Sequence, residues 1–241
     1  MEDWERRRLS ILSFTGITLG WMILCYIAWV ASGCKPFMPY ISDFDLFEPG
    51  DTLFSLGTFL TTVTVVWVMV EIQLFNRERL MEKEADFVWH ILNHAALLPG
   101  MVAAYSTFMV GQTPWDVNGY LHGTYAITIF RLGIVWCVLA CIITARIHWG
   151  TSLLLKILLA RGIPAVAAIV GLWQMLKNQA SVWTEDFDWD TYTLDFCTSR
   201  QYPALEIAAA WEFVLCFGIV FTVVSFLLDL QPPTDSHSEE E

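Results

Sequence analysis

Six runs of about twenty apolar residues constrain the fold of this chain more than any other feature of its sequence. They lie at 10–32, 52–75, 87–110, 121–145, 157–176 and 204–228. A helix of this length spans ~30 Å, the thickness of the hydrocarbon core of a bilayer. The runs are continuously apolar and do not alternate with polar residues, which excludes the strands of an outer-membrane barrel. The sequence therefore predicts an all-α polytopic membrane protein, a bundle of six transmembrane helices.

Composition and net charge limit the classes of molecule that this chain is expected to bind. Hydrophobic residues make up 56% of the chain and charged residues 16%, whereas soluble domains have about 45–50% and about 25%. The net charge is −12, from 13 basic and 25 acidic residues. Because binding to phosphates requires a basic surface, this balance argues against nucleic acid as a partner. We expect membrane lipids as partners instead.

The basic residues predict the orientation. With six spans both termini share one side of the membrane, and nine lysines and arginines fall on that side: Arg6, Arg7, Arg8, Arg77, Arg79, Lys83, Arg146, Lys156 and Arg161. The opposite loops carry three: Lys35, Lys177 and Arg200. The positive-inside rule then places both termini in the cytosol, with the basic loops as candidate surfaces for protein partners. We predict one transmembrane domain, 1–230, followed by a short acidic cytosolic tail, 231–241.

Two of the six cysteines fall outside the apolar runs. Cys34 and Cys197 lie in the two large acidic loops on the side predicted to face away from the cytosol, where thiols are oxidised. We predict a disulfide between them.

The segment after the first run reads Cys-Lys-Pro-Phe-Met-Pro-Tyr-Ile-Ser-Asp over 34–43, with Glu48-Pro49 before the second run. It resembles the first outer loop of the damage-regulated autophagy modulator (DRAM) proteins. The residues that carry the resemblance are Pro36, Phe37, Pro39, Tyr40, Ile41, Ser42 and Asp43. Three further residues resemble features of the wider superfamily of DRAM, yeast SFK-type proteins and FRAG-type GPI-anchor remodelling factors. They are His122, Glu212 within Trp-Glu-Phe, and Asp229 within FLLDLQ.

The DRAM resemblance implies a non-enzymatic multipass regulator of autophagy, the lysosome or membrane-lipid homeostasis, which acts through lipid and partner binding in the lysosomal or plasma membrane. The loop cysteines resemble the FRAG-type branch, which implies a GPI-anchor lipid-remodelling factor of the Golgi or endoplasmic reticulum. The ten-residue loop carries more information than two cysteines, so DRAM comes first. A channel or transporter accessory subunit comes last, because no inverted repeat or paired broken helices stand out.

Charged residues inside the runs are candidate sites, because an unpaired charge in hydrocarbon is costly. At ~1.5 Å per residue, Arg131 lies about 15 Å below the outer end of the fourth span and Glu212 about 12 Å below that of the sixth. We therefore predict an intramembrane ion pair between Arg131 and Glu212, either as a contact between helices or as part of a polar cavity for a lipid headgroup. Glu71, near the end of the second span, is expected to extend to the membrane surface.

His122 and Glu212 are the candidate catalytic residues, since a histidine oriented by a carboxylate can act as a general base. No serine elbow, HEXXH or HX4D motif accompanies them, and Ile127 occupies the aspartate position of HX4D. We therefore favour a non-enzymatic protein without a cofactor. His90 and His94 share a helix face, but two ligands do not complete a metal site, so we predict no metal.

Overall fold

The computed structural model describes residues 2–37, 39–46, 48–182, 197 and 203–230. Within these ranges the chain forms seven α-helices: α1 (Asp3–Ala31), α2 (Gly50–Glu82), α3 (Phe87–Ala95), α4 (Leu97–Gly111), α5 (Trp115–Ile147), α6 (Leu154–Ala180) and α7 (Pro203–Val224). Two 3₁₀ helices, Ile41–Leu46 and Ser225–Leu228, follow α1 and α7. Six helical segments are long and apolar enough to cross a membrane, with α3 and α4 together forming one of them. The predicted six-span helical architecture is confirmed.

Most of these helices are longer than the apolar runs that predicted them. The first span was predicted from residue 10, but α1 begins at Asp3, and the second was predicted to end at 75, but α2 continues to Glu82. An apolar run marks only the part of a helix inside hydrocarbon, whereas the backbone hydrogen bonding continues into the polar layer. The predicted tail, 231–241, lies outside the described residues, so the division at 230 stays a prediction.

Proline shapes two of the spans in different ways. Pro99 lies in the first turn of α4, where its missing N–H is tolerated, and the third span is accordingly divided at Ala96. Pro164, in contrast, lies in the interior of α6, which begins at Leu154, three residues before the predicted run. A transmembrane helix packed against a neighbour can lose one backbone hydrogen bond and continue.

The bundle has two distinct ends. A disulfide joins Cys34, just after α1, to Cys197. We call this end the disulfide end. At the opposite end, Arg6 and Arg7 near the start of α1 contact acidic residues near the end of α2. The helices thus run antiparallel in chain order, and the side of the membrane on which each end lies stays a prediction from the basic residues.

α6 and α7 approach each other closely through small residues. A Cβ atom added at Gly218 would lie 2.6 Å from the carbonyl oxygen of Pro164 and 2.7 Å from the backbone nitrogen of Ala168. A Cβ atom added at Gly171 would lie 2.7 Å from the backbone nitrogen of Leu215. Small residues allow such backbone contact, which is a main source of helix association where lipid removes the hydrophobic driving force.

Candidate functional site

A cavity of about 160 Å³ lies at the centre of the bundle. Among the described residues, its lining comes from α1, α2, α4, α5, α7 and the 3₁₀ helix Ile41–Leu46, and not from α3 or α6. Phe14, Met69, Trp136 and Val223 are typical of its largely apolar wall. A dry apolar cavity of about 150 Å³ can hold a benzene molecule, so this space is large enough for a stretch of hydrocarbon.

The first loop forms part of the cavity wall at the disulfide end. The backbone N–H of Ile41 donates a hydrogen bond of 2.7 Å to Oε2 of Glu212 on α7, and both residues line the cavity. Glu212 is 6% exposed. The Asp43 carboxylate accepts a hydrogen bond from the backbone N–H of Tyr40, which holds the turn into the 3₁₀ helix. Ile41, a residue of the DRAM-like loop, therefore donates the hydrogen bond to the Glu212 carboxylate. The sequence had predicted Arg131 as the partner of this carboxylate.

His122 adds a second polar group to this end of the cavity. The backbone at Asn118 is not helical, and the Asn118 side chain accepts a hydrogen bond of 3.1 Å from the N–H of Leu121, so the long part of α5 begins just before His122. Nδ1 of His122 lies 2.6 Å from the carbonyl oxygen of Thr113. A carbonyl can only accept, so Nδ1 carries the proton. Nε2 is buried without a hydrogen-bond partner, and the ring is 4% exposed.

A separate acidic group lies in the first loop. Asp45 is 5% exposed. Burial, followed by the nearby carboxylates of Asp51 and Asp116, raises the pKa of Asp45 from an ordinary value of 3.8 to about 8. A buried carboxyl among other acids is more stable when protonated. The fold therefore favours the protonated form of Asp45 at neutral pH.

At the opposite end, a buried network joins α5, α6 and the end of α7. Arg161 donates to Asp229 Oδ2 at 2.5 Å and to Ser225 Oγ at 3.0 Å, and it also donates to Thr144. Nε2 of His148 lies 3.0 Å from Oδ1 of Asp229. Burial, partly offset by Asp229, lowers the pKa of His148. The network holds α5, α6 and the segment after α7 together around Arg161, which is 1% exposed.

Two further ion pairs, each with one buried partner, were also missed from the sequence. Nε of Arg6 lies 2.7 Å from Glu71, and Nη2 of Arg7 lies 2.5 Å from Glu78. The expectation that Glu71 extends to the membrane surface was wrong, since it is buried and paired. The sequence contained the necessary information. α1 and α2 are antiparallel neighbours, so the basic residues at the start of α1 lie next to the acidic residues near the end of α2.

Comparison with known proteins places the chain in a family. A family model described as the Frag1/DRAM/Sfk1/Cwh43P N-terminal domain matches residues 8–233. The chain belongs to this family. The Frag1/DRAM membership confirms the resemblance inferred from the first loop.

Two curated relatives match along most of their length. DNA damage-regulated autophagy modulator protein 1 of Mus musculus is 23% identical over 222 residues, which cover 88% of this chain and 86% of the relative. The protein of the same name from Homo sapiens is 22% identical over 222 residues, with the same coverage of both chains. No solved structure matches the chain.

The loop residues that carry the DRAM resemblance differ in how far they are buried in the protein. Pro36 is exposed and Phe37 is half-buried, with its ring centroid 5.9 Å from that of Trp29. Pro39, Tyr40, Ile41 and Asp43 are buried, and Ser42 lines the cavity. The predicted Cys34–Cys197 pair is disulfide-bonded, and the N–H of Lys35 donates to the carbonyl of Cys197 at 2.9 Å. The loop is thus joined to Cys197 at its start and to Glu212 of α7 in its middle.

The predicted ion pair between Arg131 and Glu212 was wrong. Arg131 is exposed, on the same stripe of α5 as Val135, Val138 and Ile142. It follows His122 by nine residues, which at about 100° per residue turns the helix by half a revolution and puts the two side chains on opposite faces. The prediction compared the depths of the two groups and ignored this rotation.

The predicted site residues therefore divide into two groups. His122 and Glu212 line one cavity, together with Ser42, whereas Asp229 belongs to the network at the other end. Around His90 and His94, as elsewhere in the part of the chain that the structure describes, no group of three or more histidines, cysteines or acids suited to a metal occurs.

Proposed function

We propose that this protein is a non-enzymatic multipass membrane regulator of the DRAM type that holds a membrane lipid in its central cavity. The cavity carries the proposal. It is lined by five of the six spans, its wall is largely apolar, and Ser42, His122 and Glu212 lie at its disulfide end. An apolar wall with a few polar groups at one end suits an amphiphile.

The relatives suggest where such a regulator acts. Both are named as modulators of autophagy, which supports an action in autophagy or lipid homeostasis. The lysosomal or plasma membrane is the location that the DRAM resemblance implies. Both termini face the cytosol in this proposal. Tags at the two ends that react with an impermeant reagent only after permeabilisation would agree, whereas reaction in intact cells would contradict the orientation.

The basic loops at the opposite end are the proposed surface for partners and anionic lipids. Arg77, Lys83 and Lys156 are exposed there. Each such charge near an anionic leaflet contributes about 1 kcal/mol, which is enough to bias lipid contacts. Cytosolic protein partners would meet the same surface.

A substitution that fills the cavity with a larger side chain tests the proposed function. Ala104 lines the cavity and is 1% exposed, whereas Ala210 on α7 is exposed and does not line it. We expect Ala104→Phe to lose co-purifying lipid, measured by mass spectrometry, and to fail to restore autophagic flux in cells that lack the protein. Ala210→Phe adds the same ring outside the cavity and should behave as wild type. Full rescue and full lipid content with a folded Ala104→Phe variant would contradict the proposal.

A GPI-anchor lipid-remodelling factor is the second candidate, and one observation favours it. His122 and Glu212 line the same cavity, as a lipid-modifying site would require. The two candidates differ in the phenotype of a knockout. Normal surface levels of GPI-anchored proteins with altered autophagic flux support the regulator. Loss of surface GPI-anchored proteins with normal flux would reverse the order.

A further inference from the structure

The polar groups at the disulfide end of the cavity are mostly hydrogen-bond acceptors. Nδ1–H of His122 is used by the carbonyl of Thr113, so in the neutral ring Nε2 offers only a lone pair. That nitrogen is buried, has no partner and belongs to a side chain that lines the cavity. The carboxylate of Glu212 adds a second acceptor. A buried acceptor without a partner costs free energy until a ligand donates to it.

Two of the four threonines of the cavity wall strengthen this bias. The hydroxyl of Thr58 donates to the carbonyl of Phe54 at 2.9 Å, and the hydroxyl of Thr107 donates to the carbonyl of Ala103 at 2.9 Å. Their protons are therefore directed into their own helices. The indole N–H of Trp21 is likewise used, by Thr61 at 2.9 Å, and the hydroxyl oxygens of Thr61 and Thr18 lie 3.4 Å apart, so one hydroxyl of this pair keeps its proton.

We infer that the cavity binds a long-chain amphiphile with an uncharged hydroxyl head group, such as a fatty alcohol or an acylglycerol. This inference rests on the proposed lipid-binding function. The ligand hydroxyl donates to Nε2 of His122, and its oxygen accepts from Ser42, whose hydroxyl can take either role. A carboxylate head group of equal chain length has no proton to donate to Nε2 of His122.

The volume of the cavity limits how much of the ligand it encloses. Along α5 the lining runs from His122 to Trp136, fourteen residues or ~21 Å at ~1.5 Å per residue. Trp136 belongs to the far end of this path and packs at a ring distance of 6.2 Å from Phe226. At about 160 Å³ the cavity holds the head group and about as much hydrocarbon as one benzene ring, so the rest of a long chain would lie outside it.

Diazirine-bearing 1-hexadecanol and diazirine-bearing hexadecanoate test the inference on the purified full chain in detergent at neutral pH. We expect the alcohol to label cavity-lining peptides at about tenfold lower concentration than the acid. His122→Asn keeps a donor for the Thr113 carbonyl and removes the Nε2 acceptor, so it should lose most of this preference. Glu212→Gln introduces a donor and should improve labelling by the acid.

His94→Asn is the matched control. His94 is exposed, its Nδ1 lies 2.7 Å from the carbonyl of His90, and it does not line the cavity, so the variant should label as wild type. Equal labelling of the cavity by both probes, unchanged in His122→Asn, would overturn the head-group inference and leave lipid binding intact. Labelling of the cavity by neither probe would overturn the proposed function together with the inference.

Discussion

Arg161 and Asp229 form an ion pair in which each side chain is 1% exposed, with Nη2 of the arginine 2.5 Å from Oδ2 of the aspartate. The pair joins α6 to the residue that follows the last 3₁₀ helix, and the Arg161 guanidinium also lies 3.4 Å from the centroid of the Phe226 ring. Neither charge has solvent to compensate it, so each depends on the other. Loss of one partner is consequently far more costly than exchange of both.

Removal of Asp229 should destabilise the protein strongly. We expect Asp229→Ala to lower the free energy of unfolding by about 3–5 kcal/mol, because Arg161 is left buried and uncompensated. Thermal unfolding of the purified chain in detergent measures this. Glu82→Ala breaks an exposed pair with Arg79 of 2.9 Å and should cost no more than about 1 kcal/mol. The double variant Arg161→Met, Asp229→Leu should recover much of the loss, and equal losses for all three variants would contradict the role of the pair.

The contact between α6 and α7 should tolerate no side chain at Gly218. We expect Gly218→Ala to cost about 1–3 kcal/mol, because the new Cβ meets backbone atoms of α6 that cannot rotate away. Gly162→Ala is the matched control on α6, since a Cβ there has nothing within 4 Å. Alanine is the better helix former, so the control should gain up to about 1 kcal/mol. A similar effect of both substitutions on thermal stability would argue against close packing at Gly218.

The Cys34–Cys197 disulfide should contribute to stability over a long loop. Its two cysteines are separated by 163 residues in sequence. We expect Cys34→Ser to lower the free energy of unfolding by about 2–5 kcal/mol, since the unfolded chain gains freedom. Addition of dithiothreitol should lower the melting temperature of the wild type and leave that of Cys34→Ser unchanged. If the reductant shifts both proteins equally, the disulfide is not the cause.

Asp45 should make stability depend on pH. Its pKa is about 8 in the folded chain and has an ordinary value of 3.8, so between these values the folded state holds a proton that the unfolded state has lost. The free energy of unfolding therefore falls as pH rises from about 4 to about 8. An asparagine side chain does not titrate, so Asp45→Asn should be more stable than wild type by an amount that grows across this window. A difference that stays constant from pH 4 to pH 9 would exclude Asp45 as the source.

The sequence predicted the spans well because hydrocarbon thickness and apolar length are linked directly. It also predicted the pairing of Cys34 with Cys197, because only two cysteines lay outside the spans. It selected His122 and Glu212 because a histidine oriented by a carboxylate can act as a general base, and both line the cavity. The first two of these arguments need only position along the membrane normal.

The errors arose where rotation and neighbours mattered. Arg131 was assigned to the interior because its depth matched that of Glu212, although the helical phase set by His122 turns it outward. Arg161 was counted as a loop charge, since nothing in one sequence states that α6 and α7 are in contact. The acceptor for the Ile41 N–H could not be predicted either, because the two residues are 171 positions apart.

That separation has a consequence for how the protein is made. The Ile41 contact joins a loop that leaves the ribosome early to a helix that leaves it much later, and the disulfide joins the same loop to Cys197. Until α7 has been made, the cavity lacks both this contact and the part of its wall that α7 supplies. Every nascent chain therefore passes through a stage in which the cavity wall is incomplete. A premature stop codon anywhere before α7 would prevent the cavity from forming.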